Sequence, residues 1–177
     1  MRKEYTLSIT KMNWYSVLMI IPITAILLTP FVLIWGFELF WSARKEFFDL
    51  FLYVFVFGIV LHEFLHGLTW SFFTKKGFKS IKFGINGITP YSHCKEPLKV
   101  KHYKLGGVMP LIIIGIIPAI IGIIIGSGLL LWLGLFFTIT AGGDIISLFM
   151  LRSFDSNAYV QDHPKEMGFY IDELPGD

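Results

Sequence analysis

The stretch Leu61-His62-Glu63-Phe64-Leu65-His66-Gly67 lies within a run of apolar and aromatic residues that begins near Phe47 and ends near Phe73. A helix needs about 20 predominantly apolar residues to cross a bilayer, so this run predicts a membrane-spanning helix. Residues at positions i and i+4 share one face of a helix, so His62 and His66 point the same way, one turn apart.

This spacing of polar groups indicates a metal site. Two imidazoles one turn apart can bind one zinc ion, and Glu63 is then placed to act on a water at the metal. An ionisable residue at mid-membrane costs about 2.5–3.5 kcal/mol on insertion scales, and a bound metal would offset that cost. The alternative is that the histidines only hydrogen-bond to a neighbouring helix.

The composition places the chain among membrane proteins. Of its 177 residues 54% are hydrophobic, and the mean hydropathy is +0.65. Soluble domains contain about 45–50% apolar residues. The single cysteine, Cys94, excludes an intrachain disulfide and a cysteine-based zinc framework. The length suits one membrane-embedded domain over residues 1–177.

The hydropathy pattern predicts an α-helical integral membrane protein with about four transmembrane helices. Prolines inside the first and third spans are tolerated in membrane helices, where neighbours can satisfy the freed carbonyl groups. Polar segments separate the second span from the third and follow the fourth. The predicted spans are 14–41, 47–73, 108–126 and 129–151, with a loop at 74–105 and a tail at 152–177.

The loop contains the signal of a small β-hairpin. Ile81, Phe83 and Ile85 alternate with smaller or polar residues, and Asn86-Gly87 is typical of a two-residue hairpin turn. Pro90 in the returning strand predicts an edge position, because proline cannot donate to a ladder. The loop's lysines lack the interleaved aromatics of a nucleic-acid interface, so we expect no nucleic-acid partner.

The distribution of basic residues predicts the orientation. The N-terminus, the loop and the tail hold thirteen of the fifteen lysines and arginines, whereas the opposite side holds Arg44 and Lys45. Positive charge is retained on the cytoplasmic side, so both termini and the hairpin are predicted to be cytoplasmic.

Asp144 is the predicted third metal ligand. The second and fourth spans run in the same direction, and His66 and Asp144 each lie about seven residues before the cytoplasmic end of their span. At 1.5 Å per residue both are about 10 Å below the surface. A three-ligand site of this kind leaves a fourth position for water. A structural role for Asp144, bonded to Thr140 or to the backbone, is the alternative.

Other side chains compete for the third position or for a place beside the site. His93 and Cys94 follow the hairpin and could fold back towards the metal, whereas His102 and His163 are expected to be solvated. We expect His93, Asn86 and Pro90 to be accessory or close to the substrate.

Four features resemble the putative zincin peptidases of bacterial membranes: the His-Glu helix, the hairpin, the SHCKEPL segment from Ser92 to Leu98, and Gly142-Gly143-Asp144 on a later helix. More distantly, they resemble the site-2 protease class of intramembrane metalloproteases. The resemblance implies that His62, His66 and Asp144 bind one zinc ion per chain and that Glu63 is catalytic. In the site-2 class a glycine usually follows the aspartate, whereas here glycines precede it.

The resemblance implies a zinc-dependent intramembrane endopeptidase of the bacterial cytoplasmic membrane. Its partners would be the bilayer and a membrane-protein or peptide substrate, which a strand beside the site could hold by strand addition. One alternative is a non-catalytic zinc-binding scaffold or regulator. A metal ion transporter is the other, although the chain is small and has no inverted repeat. The pattern leaves the oligomeric state open.

Overall fold

The computed structural model describes residues 2–86, 89–163 and 168–172. Within them the chain is mostly helical, with short strands near both ends and in the middle. The helices are α1 (Ile9–Trp35), α2 (Phe37–Ser42), α3 (Arg44–Ser71), α4 (Val100–Pro110), α5 (Ile117–Ile125), α6 (Gly128–Thr140) and α7 (Gly142–Met150); the strands are β1 (Arg2–Thr6), β2 (Ile81–Asn86), β3 (Thr89–Cys94), β4 (Leu98–Lys99), β5 (Tyr159–Asp162) and β6 (Gly168–Asp172).

Among the described residues, three helices are long and apolar enough to cross a membrane, and there are up to four candidate spans if the bent pair of α6 and α7 is counted as one. Large apolar side chains on these helices are exposed, among them Leu33 at 80% and Phe57 at 70%. Such faces avoid water only in lipid or against another protein. The structure is therefore consistent with the predicted membrane protein, and the candidate spans are Thr10–Trp35, Arg44–Ser71 and Val100–Ile125.

The first predicted span ends earlier than residue 41. Helix α1 stops at Trp35 because Gly36 adopts a φ of 83°, which an L side chain rarely takes. A separate short helix, α2, follows. The two prolines inside α1 do not divide it.

The third helix begins at Val100, eight residues before the predicted residue 108, so the predicted loop 74–105 ends earlier than expected. The backbone N–H groups of Val100 and Lys101 donate to the carbonyls of Ala158 and Ser156, at 2.9 and 3.1 Å. Carbonyls from the tail thus satisfy donors that a helix N-terminus leaves unpaired. A π-helical turn at Leu111–Ile116 joins α4 to α5.

The predicted hairpin is present. Strands β2 and β3 pair antiparallel, from Ile81 opposite Cys94 to Asn86 opposite Thr89. The turn residues Gly87 and Ile88 lie outside the described residues, as does the predicted turn type. Pro90 pairs with Ile85 in the returning strand.

A second sheet joins the two ends of the chain, where only polar segments were predicted. Its strand order is β1-β6-β5-β4, and Arg2 lies opposite Asp172. Its apolar side chains form a core with the start of α4. That core contains Val100, Leu151, Ala158, Val160, Phe169 and Ile171.

The chain divides into two compact units. One comprises Met1–Trp14, Glu63–Met109 and Gly143–Asp177, and contains both sheets. The other comprises Tyr15–His62 and Pro110–Gly142 and is helical. In the helical unit the Phe40 and Trp132 rings stack with centroids 4.6 Å apart, and the Trp132 indole donates to the Phe40 carbonyl at 3.0 Å.

Close helix packing in the helical unit depends on Gly134. A Cβ at this position would lie 2.5 Å from the backbone nitrogen of Ala119, which cannot move aside as a side chain can. Gly134→Ala should therefore destabilise the protein by about 1–3 kcal/mol, which thermal unfolding in detergent would measure. Gly143→Ala is the matched control, since its nearest neighbour lies at 3.8 Å. Equal melting temperatures for the two variants would contradict the packing argument.

Glu96 stabilises the segment between α3 and the hairpin through hydrogen bonds. Its carboxylate accepts hydrogen bonds from the Ser80 hydroxyl and from the backbone N–H groups of Lys75 and Lys76, the latter two at 2.9 and 3.3 Å. The Ser80 and Lys75 hydrogen bonds lower the pKa of Glu96 below its ordinary value. A carboxylate with a lowered pKa stabilises the fold at neutral pH, and that contribution is lost as the pH falls through the folded-state pKa.

Glu96→Gln should therefore lower the melting temperature at neutral pH, and the difference in melting temperature between variant and wild type should shrink as the pH falls through the folded-state pKa of Glu96. Thermal unfolding across this range measures the effect. Ser80→Ala removes the hydroxyl that lowers the pKa of Glu96 most, and its melting-temperature difference from the wild type should shrink on acidification in the same way. A melting-temperature difference that stays constant with pH would show that the charge of the Glu96 carboxylate does not contribute to stability.

Candidate metal centre

Helix α3 presents His62, Glu63 and His66 within two turns, and α7 presents Asp144 in its first turn. The structure brings His62, His66 and Asp144 together, with one potential ligand atom of each lying within 4.8 Å of the others. His66 is buried, whereas the other two are half-buried. The group that the sequence predicted from helix spacing and matched depth is thus present in three dimensions.

The separation of His66 and Asp144 suits a metal. His66 Nε2 lies 3.3 Å from Asp144 Oδ1. Zinc–ligand bonds of about 2.0–2.1 Å in a tetrahedral site place neighbouring ligand atoms about 3.3–3.4 Å apart. Two imidazoles and a carboxylate are also a donor set that catalytic zinc sites use. The residues therefore fit a zinc ion in both geometry and chemistry.

The second ring nitrogen of His66 is occupied. Nδ1 lies 2.9 Å from the carbonyl oxygen of Gly106. A carbonyl only accepts hydrogen bonds, so Nδ1 carries the proton and a neutral ring has its lone pair on Nε2, facing Asp144. Metal-binding histidines are commonly oriented in this way by a second partner.

An aromatic stack holds the face of the same ring. Trp70 lies one turn after His66 on α3, and the two rings are parallel within 15° with centroids 5.3 Å apart. Tyr103 stacks on Trp70 at 5.0 Å, and the Trp70 indole donates to the Tyr103 carbonyl at 3.0 Å. A Cβ on Gly106 would lie 2.1 Å from Trp70 Nε1, so only glycine leaves room for this ring.

A cavity of about 50 Å³ opens beside His66 and Asp144. A water occupies on the order of 10–15 Å³ by the same measure, so the cavity has room for an ion and water. Its lining combines polar side chains with leucine side chains. The cavity is lined by His66, Trp70, Tyr103, Gly107, Asp144, Ser147, Leu148 and Leu151.

The hairpin lies against α3 next to the site. A Cβ on Gly67 would lie 2.5 Å from the Phe83 ring and 2.8 Å from an Ile81 methyl group. Strand β2 thus contacts the helix at the residue that follows His66. In the described part of the chain, β2 pairs only with β3.

The competing histidines and the cysteine have other partners. His93 Nδ1 lies 3.6 Å from Asp162 Oδ2, His102 stacks on Phe73, and His163 faces Glu4 at 3.4 Å. Among the described residues, none of them belongs to the metal-type group.

Cys94 is buried, and its thiol donates to the Glu96 carbonyl at 3.3 Å. Burial raises the pKa of this thiol to about 11, so it remains protonated at neutral pH. A protonated thiol is neither a nucleophile nor a metal ligand. Of the two remaining accessory candidates, Pro90 lies in β3, and the side chain of Asn86 is outside the described residues.

The supporting residues were not identified from the sequence. Trp70 stands four positions after His66, so the helical spacing could have shown that the two share a face. Nothing local identifies Tyr103 or Gly106, because they contact α3 across more than thirty residues of chain.

The two histidines and the glutamate of α3, with the carboxylate of Asp144 from α7, are residue types that a zincin-type metal centre uses. The chain belongs to the putative zincin peptidase family, whose model matches residues 55–159, more than half of its length. This region contains all of His62, Glu63, His66 and Asp144. No curated protein and no solved structure matches the chain.

Metal content tests the centre directly. The purified wild type should contain about one zinc per chain, and His62→Ala, His66→Ala and Asp144→Ala should each lose it, because each removes one of three ligands. His102→Ala is the matched histidine control and should retain the metal. Zinc retained in Asp144→Ala would assign the third ligand elsewhere, with His93 as the next candidate. A wild type that takes up no zinc would disprove the centre.

Proposed function

We propose that the protein is a zinc-dependent intramembrane endopeptidase that hydrolyses peptide bonds of membrane-associated substrates near the cytoplasmic face. The observation that carries this proposal is the distance of 3.3 Å between His66 Nε2 and Asp144 Oδ1. His62 lies one turn before His66 on the same helix, which is long enough to cross a membrane. Membership of the putative zincin peptidase family supports the same reaction class.

In this proposal His62, His66 and Asp144 hold one zinc ion, and Glu63 is the general base. Bound zinc would supply a Lewis acid that acidifies water and polarises a carbonyl oxygen. Glu63 accepts a proton as the water oxygen bonds to the peptide carbon, and then delivers that proton to the amine nitrogen as the C–N bond breaks.

The surrounding residues prepare the site for this reaction. The hydrogen bond from His66 Nδ1 to the Gly106 carbonyl keeps the Nε2 lone pair directed at the metal position. The position of Asp144 in the first turn of α7 favours its negative charge, because a helix N-terminus carries partial positive charge.

We further propose that the substrate binds as an extended strand beside β2. In the described part of the chain, β2 pairs with β3 alone, and its face lies against α3 at Gly67. An extended peptide added at such an edge would expose its backbone to the site, whereas a helical substrate hides its scissile bond. This arrangement is the one that a distant relationship to site-2 proteases would imply.

Charge and hydropathy support a proposal for the location of the protein. Three to four long apolar helices support a place in the membrane, and the concentration of lysines and arginines at both termini and in residues 74–105 supports a cytoplasmic position for them. We propose the bacterial cytoplasmic membrane as the location.

Replacing Glu63 by glutamine separates binding from catalysis. Glu63→Gln keeps the ligand set but cannot accept a proton, so zinc content should be unchanged, whereas cleavage should fall by at least about 10²–10⁴-fold. The assay uses reconstituted protein and synthetic transmembrane peptides that contain Gly and Pro. Glu46→Gln, at the other end of α3, is the matched control and should cleave normally.

Cleavage by Glu63→Gln at the wild-type rate would exclude this mechanism. Zinc retained in both proteins, with no peptide cleaved by the wild type, would favour the non-catalytic scaffold.

A further inference from the structure

We propose that Asp162, in the C-terminal tail, is a positioning residue of the metal centre and acts on His66 through Tyr103 and Trp70. The proposal rests on the zinc site of the proposed function, although not on peptidase activity. It assigns the tail, which follows the last candidate span, a role in metal affinity.

Asp162 joins three separate parts of the chain. It is the last residue of strand β5. Its Oδ1 accepts a hydrogen bond from the Tyr103 hydroxyl of α4, and its Oδ2 accepts one from the backbone N–H of Cys94 in β3, at 2.9 Å. His93 Nδ1 lies 3.6 Å from the same Oδ2. The Asp162 side chain is only 12% exposed, so these contacts replace water around a carboxylate.

Such a carboxylate is costly unless its partners are held in place. Removing one partner of a buried hydrogen bond leaves the other group without compensation for the water it has lost, and this penalty is larger for a charged group than for a neutral one. Asp162 therefore fixes the position of the Tyr103 hydroxyl strongly. The same tail also caps the start of α4, whose first N–H groups donate to the carbonyls of Ala158 and Ser156.

Helix α4, which contains Tyr103, positions the ring of His66 through two sets of contacts. The ring and the carbonyl of Tyr103 hold Trp70, which stacks on the His66 imidazole. Gly106, one turn further along α4, accepts the Nδ1 hydrogen bond of the same imidazole. The face and the second nitrogen of His66 are both set by α4, so a shift of this helix would turn Nε2 away from Asp144.

The arrangement links the hairpin to the metal ligand, because β3 and α4 share one carboxylate. A rearrangement of β3 that weakens its contact with Asp162 would therefore shift Tyr103 and, with it, the His66 ring. Substitution of residues that orient a metal ligand typically lowers metal affinity about 10–100-fold. We expect changes at Asp162 to fall in this range although the residue is not a ligand.

The test measures metal affinity in the full-length protein in detergent. Asp162→Asn, Tyr103→Phe and the double variant are compared with wild type by zinc competition against a chelator and by the visible spectrum of bound Co²⁺. Tyr103→Phe keeps the ring stack and removes only the hydroxyl. Tyr170→Phe and Asp172→Asn, on strand β6, are the matched controls.

Both single variants should bind zinc about 10–100-fold more weakly than the wild type and should shift the Co²⁺ spectrum. The double variant should bind zinc with the affinity of the weaker-binding single variant, because both substitutions remove the same interaction. The controls should keep wild-type affinity and spectrum, even where their melting temperature falls.

Wild-type affinity and spectrum in Tyr103→Phe would overturn the proposal, and so would additive losses in the double variant. Should Asp162→Asn fail to fold, Tyr103→Phe decides alone. A wild type that binds no metal would overturn the zinc site and this inference together. Zinc binding without peptide cleavage would overturn only the peptidase function.

Discussion

The candidate site depends on one imidazole that is constrained on both nitrogens. His66 donates from Nδ1 to the Gly106 carbonyl and directs Nε2 towards Asp144 at 3.3 Å. In a segment of high hydropathy, each of these polar atoms would be costly without a partner. The requirement to satisfy them explains why helix α4, helix α7 and the stacked rings surround this position.

Glycine and aromatic residues make this constraint possible. Gly106 leaves the space that the Trp70 indole occupies, and Gly67 lets strand β2 approach α3 beside His66. A side chain at either position would displace a neighbour that the site requires. The small residues therefore act by allowing close approach, and the large rings act by filling the space that is left.

Segments outside the candidate membrane spans support the site. The tail caps the N-terminus of α4 through the Ser156 and Ala158 carbonyls, and Asp162 binds the Tyr103 hydroxyl. The hairpin shares Asp162 through the Cys94 N–H group. Segments that look peripheral in the linear sequence thus determine where α4 lies, and α4 holds His66.

The sequence by itself determined the apolar helices, the histidine pair on one face and the hairpin. These features arise from hydropathy, from the 3.6-residue period and from turn chemistry, which all act over a few residues. Matched helix depth also identified Asp144 as a partner for His66.

Only the tertiary structure decided the start of α4 at Val100, the sheet that pairs β1 with β6, and the contacts of Gly106 and Asp162. Each depends on contacts between residues more than thirty positions apart, as between Asp162 and Tyr103. No local pattern encodes such contacts, because they exist only once the helices have packed.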